Sequence, residues 1–252
     1  MDAGRKSGAF TLVELLVVIS IIALLMAILV PALHRARGKA HQVLCMNTMR
    51  NFSFAYKLYL HETERYLPIS SGSVETLTPW YNNSLFRRGL GLQPVSAEDG
   101  KWRGPGALQV WKPNVPRKYI CPAATYALKH PEDGLYPIDR SYGVNVDGDY
   151  WAWVQGVSNY SDKEGWVKNP SEKIFMADAL DWWISYFYCE KYFEFGENWI
   201  GYRSEDGGTY GMTAYRHFDR ADIMYWDGHC GQLSSEEVAY ASDPNDLWNP
   251  LH

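Results

Sequence analysis

Residues 10–33 read FTLVELLVVISIIALLMAILVPAL, and one charged side chain, Glu14, interrupts them. As a helix rising about 1.5 Å per residue, the block is roughly 36 Å long, enough to cross a hydrocarbon core of about 30 Å. Arg5 and Lys6 precede it, and Arg35, Arg37 and Lys39 follow it. A secretory signal peptide fits poorly. Its apolar region runs about 7–15 residues and ends at a small-residue site. This block is longer, and its nearest small-residue exit, Ala36-Arg37-Gly38, carries an arginine. A plain transmembrane anchor explains the length but not Glu14. A carboxylate at bilayer depth costs about 3 kcal/mol even on insertion scales, so such a residue marks a function and needs a partner. A free α-amine at Phe10, made by removing the residues before it, would supply that partner between parallel helices.

Beyond Leu33 the helical pattern turns amphipathic. Cys45, Met49, Phe52, Tyr56 and Tyr59 recur at spacings of four and three, as a buried stripe does. Gln42, Asn47, Arg50 and Lys57 are placed off that stripe. Pro68 forces an end at or before Leu67. The spacing therefore predicts one helix from about Phe10 to Glu62, apolar all round in its first half and one-sided in its second, with Pro31 near the junction as a candidate kink. Residues 70–117 are rich in Gly, Pro, Ser and Asn and read as long loops. Strands are predicted at Lys118–Cys121, Ser141–Asn145 and Ser171–Ala177, with a strand pair within Trp182–Phe195.

Residues 216–233, RHFDRADIMYWDGHCGQL, predict a period-two strand and a two-residue hairpin turn at Asp227-Gly228. The fold class expected is α+β, a long N-terminal helix packed on an antiparallel sheet.

The net charge of −5 gives no basic face for nucleic acid. Four cysteines, Cys45, Cys121, Cys189 and Cys230, show no CxxC spacing, and disulfides in any of three connectivities or buried free thiols both stay open. A strand of about 20 Å would separate His217 from Asp227, so the two do not form a catalytic dyad and no enzyme is read here. Asp219 and Asp222 are weak calcium candidates, because calcium takes oxygen ligands from loops. A zinc site from His217, His229 and Cys230 fits no familiar spacing. No cofactor is otherwise expected.

The run Gly8-Ala9-Phe10-Thr11-Leu12-Val13-Glu14 resembles the prepilin processing site of type IV pilins and type II secretion pseudopilins. The resemblance implies a basic leader, cleavage before Phe10 by a prepilin peptidase, methylation of the new N-terminus, and an assembly role for Glu14 at the fifth mature position. Pro31 falls where pilin helices carry a kinking proline. Ala9 departs from the family's glycine, which predicts slower cleavage. His217, nine residues, then Asp227-Gly228 resembles the H-X9-DG signature of a branch similar to secretion protein G. There His217, Asp227 and Gly228 read as structural. Cys45 with Asn47 and Met49, Cys121-Pro122, Ser141-Tyr142-Gly143 and Pro170 through Asp178 resemble further landmarks of that branch.

The expected organisation is a leader at 1–9, a transmembrane half at 10–33, an amphipathic half at 34–66 and a β-rich body at 67–252. The positive-inside rule alone would keep the body inside, because the C-terminal flank is the more basic. The resemblance implies the reverse: a single pass in the bacterial inner membrane, with the body in the periplasm or outside. Expected partners are the membrane, the peptidase and methylase, and further copies or related pilin-like subunits. An alternative is an anchored module that binds glycans through aromatics. Trp151 and Trp153 share a strand face in that reading, and Trp182 and Trp183 point to opposite faces.

Overall fold

The computed structural model describes residues 12–71, 78–95, 115–129, 138–147, 165, 167–197, 211–239 and 244–250. Gly8, Ala9, Phe10, Trp151 and Trp153 lie outside them. Two compact units emerge, residues 1–40 and residues 41–252.

Helix α1 spans Leu12–Thr63, with Pro31 inside it. It stops where the chain's donors turn local. Thr63 donates its hydroxyl to the Tyr59 carbonyl and accepts from the Arg65 amide, and Glu64 takes a positive φ of 55°. A residue in the left-handed region, with a proline soon after, ends helices efficiently. In the first unit the side chains of α1 are almost all exposed, an apolar surface from Leu12 to Leu33.

In the second unit the expected stripe is the packed face. Cys45, Met49, Phe52, Tyr56 and Tyr59 are all buried. Phe52 is the hub, edge-on to Trp80 at 5.6 Å and to Tyr142 at 5.2 Å. Burying side chains of this size contributes about 2 kcal/mol each. Gln42 departs from its expected place. It is buried, and its amide donates to Gln232 at 2.8 Å.

Strands β1 (Ser70–Ser71) and β2 (Thr78–Pro79) make a small antiparallel pair. Helix α2 (Ser84–Gly89) follows, capped by the Asn83 side chain, which accepts from the Leu85 and Phe86 amides. Then come α3 (Tyr126–Lys129), β3 (Tyr142–Asn145), β4 (Ile174–Asp178), β5 (Trp183–Ile184), α4 (Tyr192–Phe195), β6 (Arg220–Tyr225), β7 (Cys230–Ser234), α5 (Ser235–Ala239) and α6 (Pro244–Leu247). The main sheet runs β5-β3-β4-β6-β7. Three of its pairings are antiparallel, but β5 lies parallel to β3, so the sheet is mixed rather than purely antiparallel. Gly143 permits that neighbour, because a Cβ there would sit 2.7 Å from the Asp181 carbonyl oxygen.

Two expected strands are absent. Arg117–Tyr119 is a 3-10 turn, and Ile120 and Cys121 extend from it without pairing in the sheet. The aromatic run contributes only β5 before passing into a 3-10 turn at Tyr186–Tyr188 and into α4. Trp182 and Trp183 both enter the core cluster around α1, so adjacency does not separate them.

Both faces of the sheet are covered. Met176 and Met224 join the cluster around α1, while Ala177, Ala221 and Ile223 meet Val238 and Trp248.

Candidate functional site

Glu14 lies in the first turn of α1, where a negative charge is favoured by the helix dipole. Around it, Leu12, Val13, Leu15 and Leu16 are exposed apolar side chains. Among the described residues, α1 is the one helix long and apolar enough to cross a membrane.

The hairpin β6–β7 carries the second candidate. Its loop has three residues, Trp226, Asp227 and Gly228, rather than the expected two. The Gly228 amide donates to the Tyr225 carbonyl at 2.8 Å, and the Tyr225 amide to the His229 carbonyl at 3.0 Å. Only Gly228, at φ +82°, takes positive φ, which is how a three-residue loop closes on a left-handed residue. Asp227 stabilises the return, its carboxylate accepting from the His229 amide at 2.9 Å.

This turn is docked on α1. Ser53 donates to the Gly228 carbonyl, and the Tyr56 hydroxyl donates to the Trp226 carbonyl at 2.7 Å. The Asp227 amide donates to the Pro170 carbonyl at 3.0 Å. A Cβ on Gly228 would lie 2.5 Å from Lys57 Cε and 3.1 Å from Ser53 Oγ. Gly228→Ala is therefore expected to destabilise the body by about 1–2 kcal/mol through left-handed strain. A urea unfolding midpoint measures it, and an unchanged midpoint would show that the turn conformation carries no weight.

At the other end of β6, His217 is buried. Its Nε2 lies 3.6 Å from Cys121 Sγ and 3.6 Å from Asp178 Oδ2. Cys121 Sγ in turn lies 2.8 Å from Cys45 Sγ. Asp178 accepts the Asp222 amide at 2.8 Å, and the Asp222 carboxylate accepts from Gln232. Thus Asp222 belongs to an interior group with Asp178 and His217, while Asp219 is exposed outside it. His229 and Cys230 lie at the hairpin return and β7, outside that group.

The charges are tightly balanced. Burial alone would lower the His217 pKa, but Cys121, Asp178 and Asp222 outweigh it and push it up to about 9. Burial raises Asp178 well above the carboxylate range, helped by Asp222 and opposed by His217. Burial likewise raises Asp222 to about 6. The imidazole thus sits among a buried thiol and two buried acids, and all three favour its charged form. Its contacts with Cys121 and Asp178 both run through Nε2, which is not the relay of a nucleophilic triad, where the acid sits on the second ring nitrogen.

Arg216, not singled out in the sequence, is equally central. Its guanidinium binds Glu197 at 2.6 Å and donates to the Arg140 and Ala179 carbonyls at 2.6 and 2.9 Å. Its place beside His217 was the only available signal.

Residues 4–30 match a family model described as the prokaryotic N-terminal methylation motif. No curated protein and no solved structure gives a significant match. The motif supports a prepilin-like exported subunit of the type IV pilin kind, and the long helix with a mixed sheet is consistent with a pilin-like α+β fold.

Proposed function

We propose that this chain is a pilin- or pseudopilin-like structural subunit. It is cut before Phe10, methylated on the new amine, held by α1 in the inner membrane with its body outside the cytoplasm, and assembled with further copies or related subunits into a filament. The observation that carries this reading is the methylation motif at residues 4–30, with a carboxylate, Glu14, in an otherwise apolar exposed helix.

The helix surface away from the core agrees with a role in assembly. Within the second unit Val43, Leu44, Phe54 and Leu58 are exposed. At 100° per residue they fall in one arc of about 100°, opposite the stripe that meets the sheet. A helix that is apolar on two sides suits contact with a second helix as well as with its own body. The H-X9-DG segment serves the subunit's interior in this reading: His217 neutralises the buried acids, and Asp227-Gly228 fits the turn to α1. The chemistry of the subunit is done to it by the peptidase and methylase, not by it.

The test is the mature N-terminus, read by mass spectrometry of protein from its native membrane. The expected chain begins with N-methylated Phe10. A chain beginning at Met1, or cut after Gly38, would remove the amine that Glu14 needs and would leave an ordinary anchored or secreted protein.

A further inference from the structure

Cys45 on α1 and Cys121 in the segment before α3 are both fully buried, with their sulfurs 2.8 Å apart. We propose that these two residues form a disulfide, which ties the amphipathic half of α1 to the segment carrying Cys121-Pro122. The exported-body reading above enters only as the place where the oxidation occurs.

Contact distance argues first. Even two carbon atoms rest about 3.5–4.0 Å apart, and sulfur is larger, so two separate thiols do not pack this closely. A shared metal fits less well. Two thiolates each about 2.3 Å from a tetrahedral zinc stand roughly 3.7 Å apart. His217 would supply a third ligand, but the sulfurs are too close for that geometry. Topology argues second. Cys189 belongs to the cluster on the other side of the sheet and Cys230 is only half-buried on β7, so Cys45 and Cys121 are the two that the fold brings together. The link would span 76 residues and join a helix to the sheet-bearing body, the kind of long closure that constrains an unfolded chain most.

The bond forms by thiol–disulfide exchange in the chain before it closes, where either cysteine can start; on the route that begins at Cys121, its thiolate is the nucleophile. It displaces one thiolate from a disulfide oxidant, either a small-molecule disulfide or an envelope oxidoreductase, and forms a mixed disulfide. Cys45 then loses its proton, attacks the Cys121 sulfur and releases the second thiolate. Two thiols give up two protons and two electrons, and the oxidant's disulfide becomes two thiols. Since the folded body buries both sulfurs, the exchange takes place during folding, before α1 covers them.

The test uses the full chain in detergent. It is reduced, unfolded and refolded in a mixture of reduced and oxidised glutathione, after which free thiols are alkylated and the protein is digested without reductant. Mass spectrometry is expected to find one linked peptide pair, Cys45 with Cys121, and alkylated Cys189 and Cys230. Cys45→Ser and Cys121→Ser should each lower the urea midpoint to that of the reduced wild type, and the double variant should go no lower. Alkylated Cys45 and Cys121 in the refolded wild type, with or without one bound zinc by elemental analysis, would overturn the proposal. The same digest on protein from native membranes separates the two readings. Both thiols free on a chain that begins at Phe10 would overturn the disulfide and leave export standing. A linked pair after refolding, but free thiols on a chain that begins at Met1, would count against export and uphold the disulfide.

Discussion

Replacing Glu14 with alanine is expected to leave membrane insertion and cleavage before Phe10 unchanged while incorporation into filaments falls roughly a hundredfold. Removing the carboxylate makes α1 more apolar, so insertion has no reason to fail. On the proposed assembly, the substitution removes the attraction between Glu14 of one subunit and the α-amine of Phe10 on the next. Desolvated by apolar side chains, such a pair is worth about 3 kcal/mol, and each 1.4 kcal/mol is a factor of ten in an equilibrium. The measurement compares sheared filament with membrane-held subunit, together with the N-terminal mass of each. Normal assembly of the variant would defeat the charge-pairing account, whereas a failure of cleavage would move the role of Glu14 to recognition by the peptidase.

His217→Leu is expected to cost the body about 3–5 kcal/mol. The substitution leaves Asp178 and Asp222, both fully buried, without their nearest cation, and breaking one side of a buried charge pair costs about that much. Asp178→Asn in the same background should recover part of the loss, since two sites in contact do not add. The sign of the pH dependence follows from the raised pKa. The His217 pKa in the folded body is about 9 against an ordinary 6.5. In the reduced protein its contribution is therefore fully present below pH 6.5 and is lost as pH rises through 9, a fall of up to about 3 kcal/mol. Burial raises Asp178 and Asp222 as well, so each adds stability at low pH that is lost as pH rises, for Asp222 through about 6. With Cys121 in a disulfide, the carboxylates alone hold the imidazolium, so the slope is shallower in oxidised than in reduced protein. Urea unfolding between pH 6.5 and 9 reads it. The leucine variant should lack the slope, and equal slopes in both proteins would remove His217 from this role.

Some of this was written locally. The apolar run from Phe10, the buried stripe Cys45, Met49, Phe52, Tyr56 and Tyr59 and the strand through Ala221, Ile223 and Tyr225 follow from periodicity, the helix end from Pro68, and the strands expected at Ser141–Asn145 and Ser171–Ala177, read as short strand-like segments, appear as Tyr142–Asn145 and Ile174–Asp178. Where the pattern was aromatic density instead of alternation, as in Trp182–Phe195, the expectation of a strand pair failed. Tyr186–Tyr188 closes a 3-10 turn started by the Ser185 side chain, which accepts from the Phe187 amide. The same holds for Arg117–Tyr119, where Pro116 opens a turn and no strand partner lies alongside.

The sequence by itself determined the long apolar first half of α1, the carboxylate within it, the amphipathic continuation of the helix and the presence of a glycine turn after β6. These depend on residues a few positions apart, within reach of helix and strand periods. Only the tertiary structure decided that β5 pairs in parallel with β3, that Gln42 faces inward, and that Cys45, Cys121, Asp178, His217 and Asp222 meet beneath α1. Those residues come from four separate segments of the chain. A buried charge is tolerated only where partners satisfy it, and spacing along a sequence carries no record of which distant segments the fold will bring together.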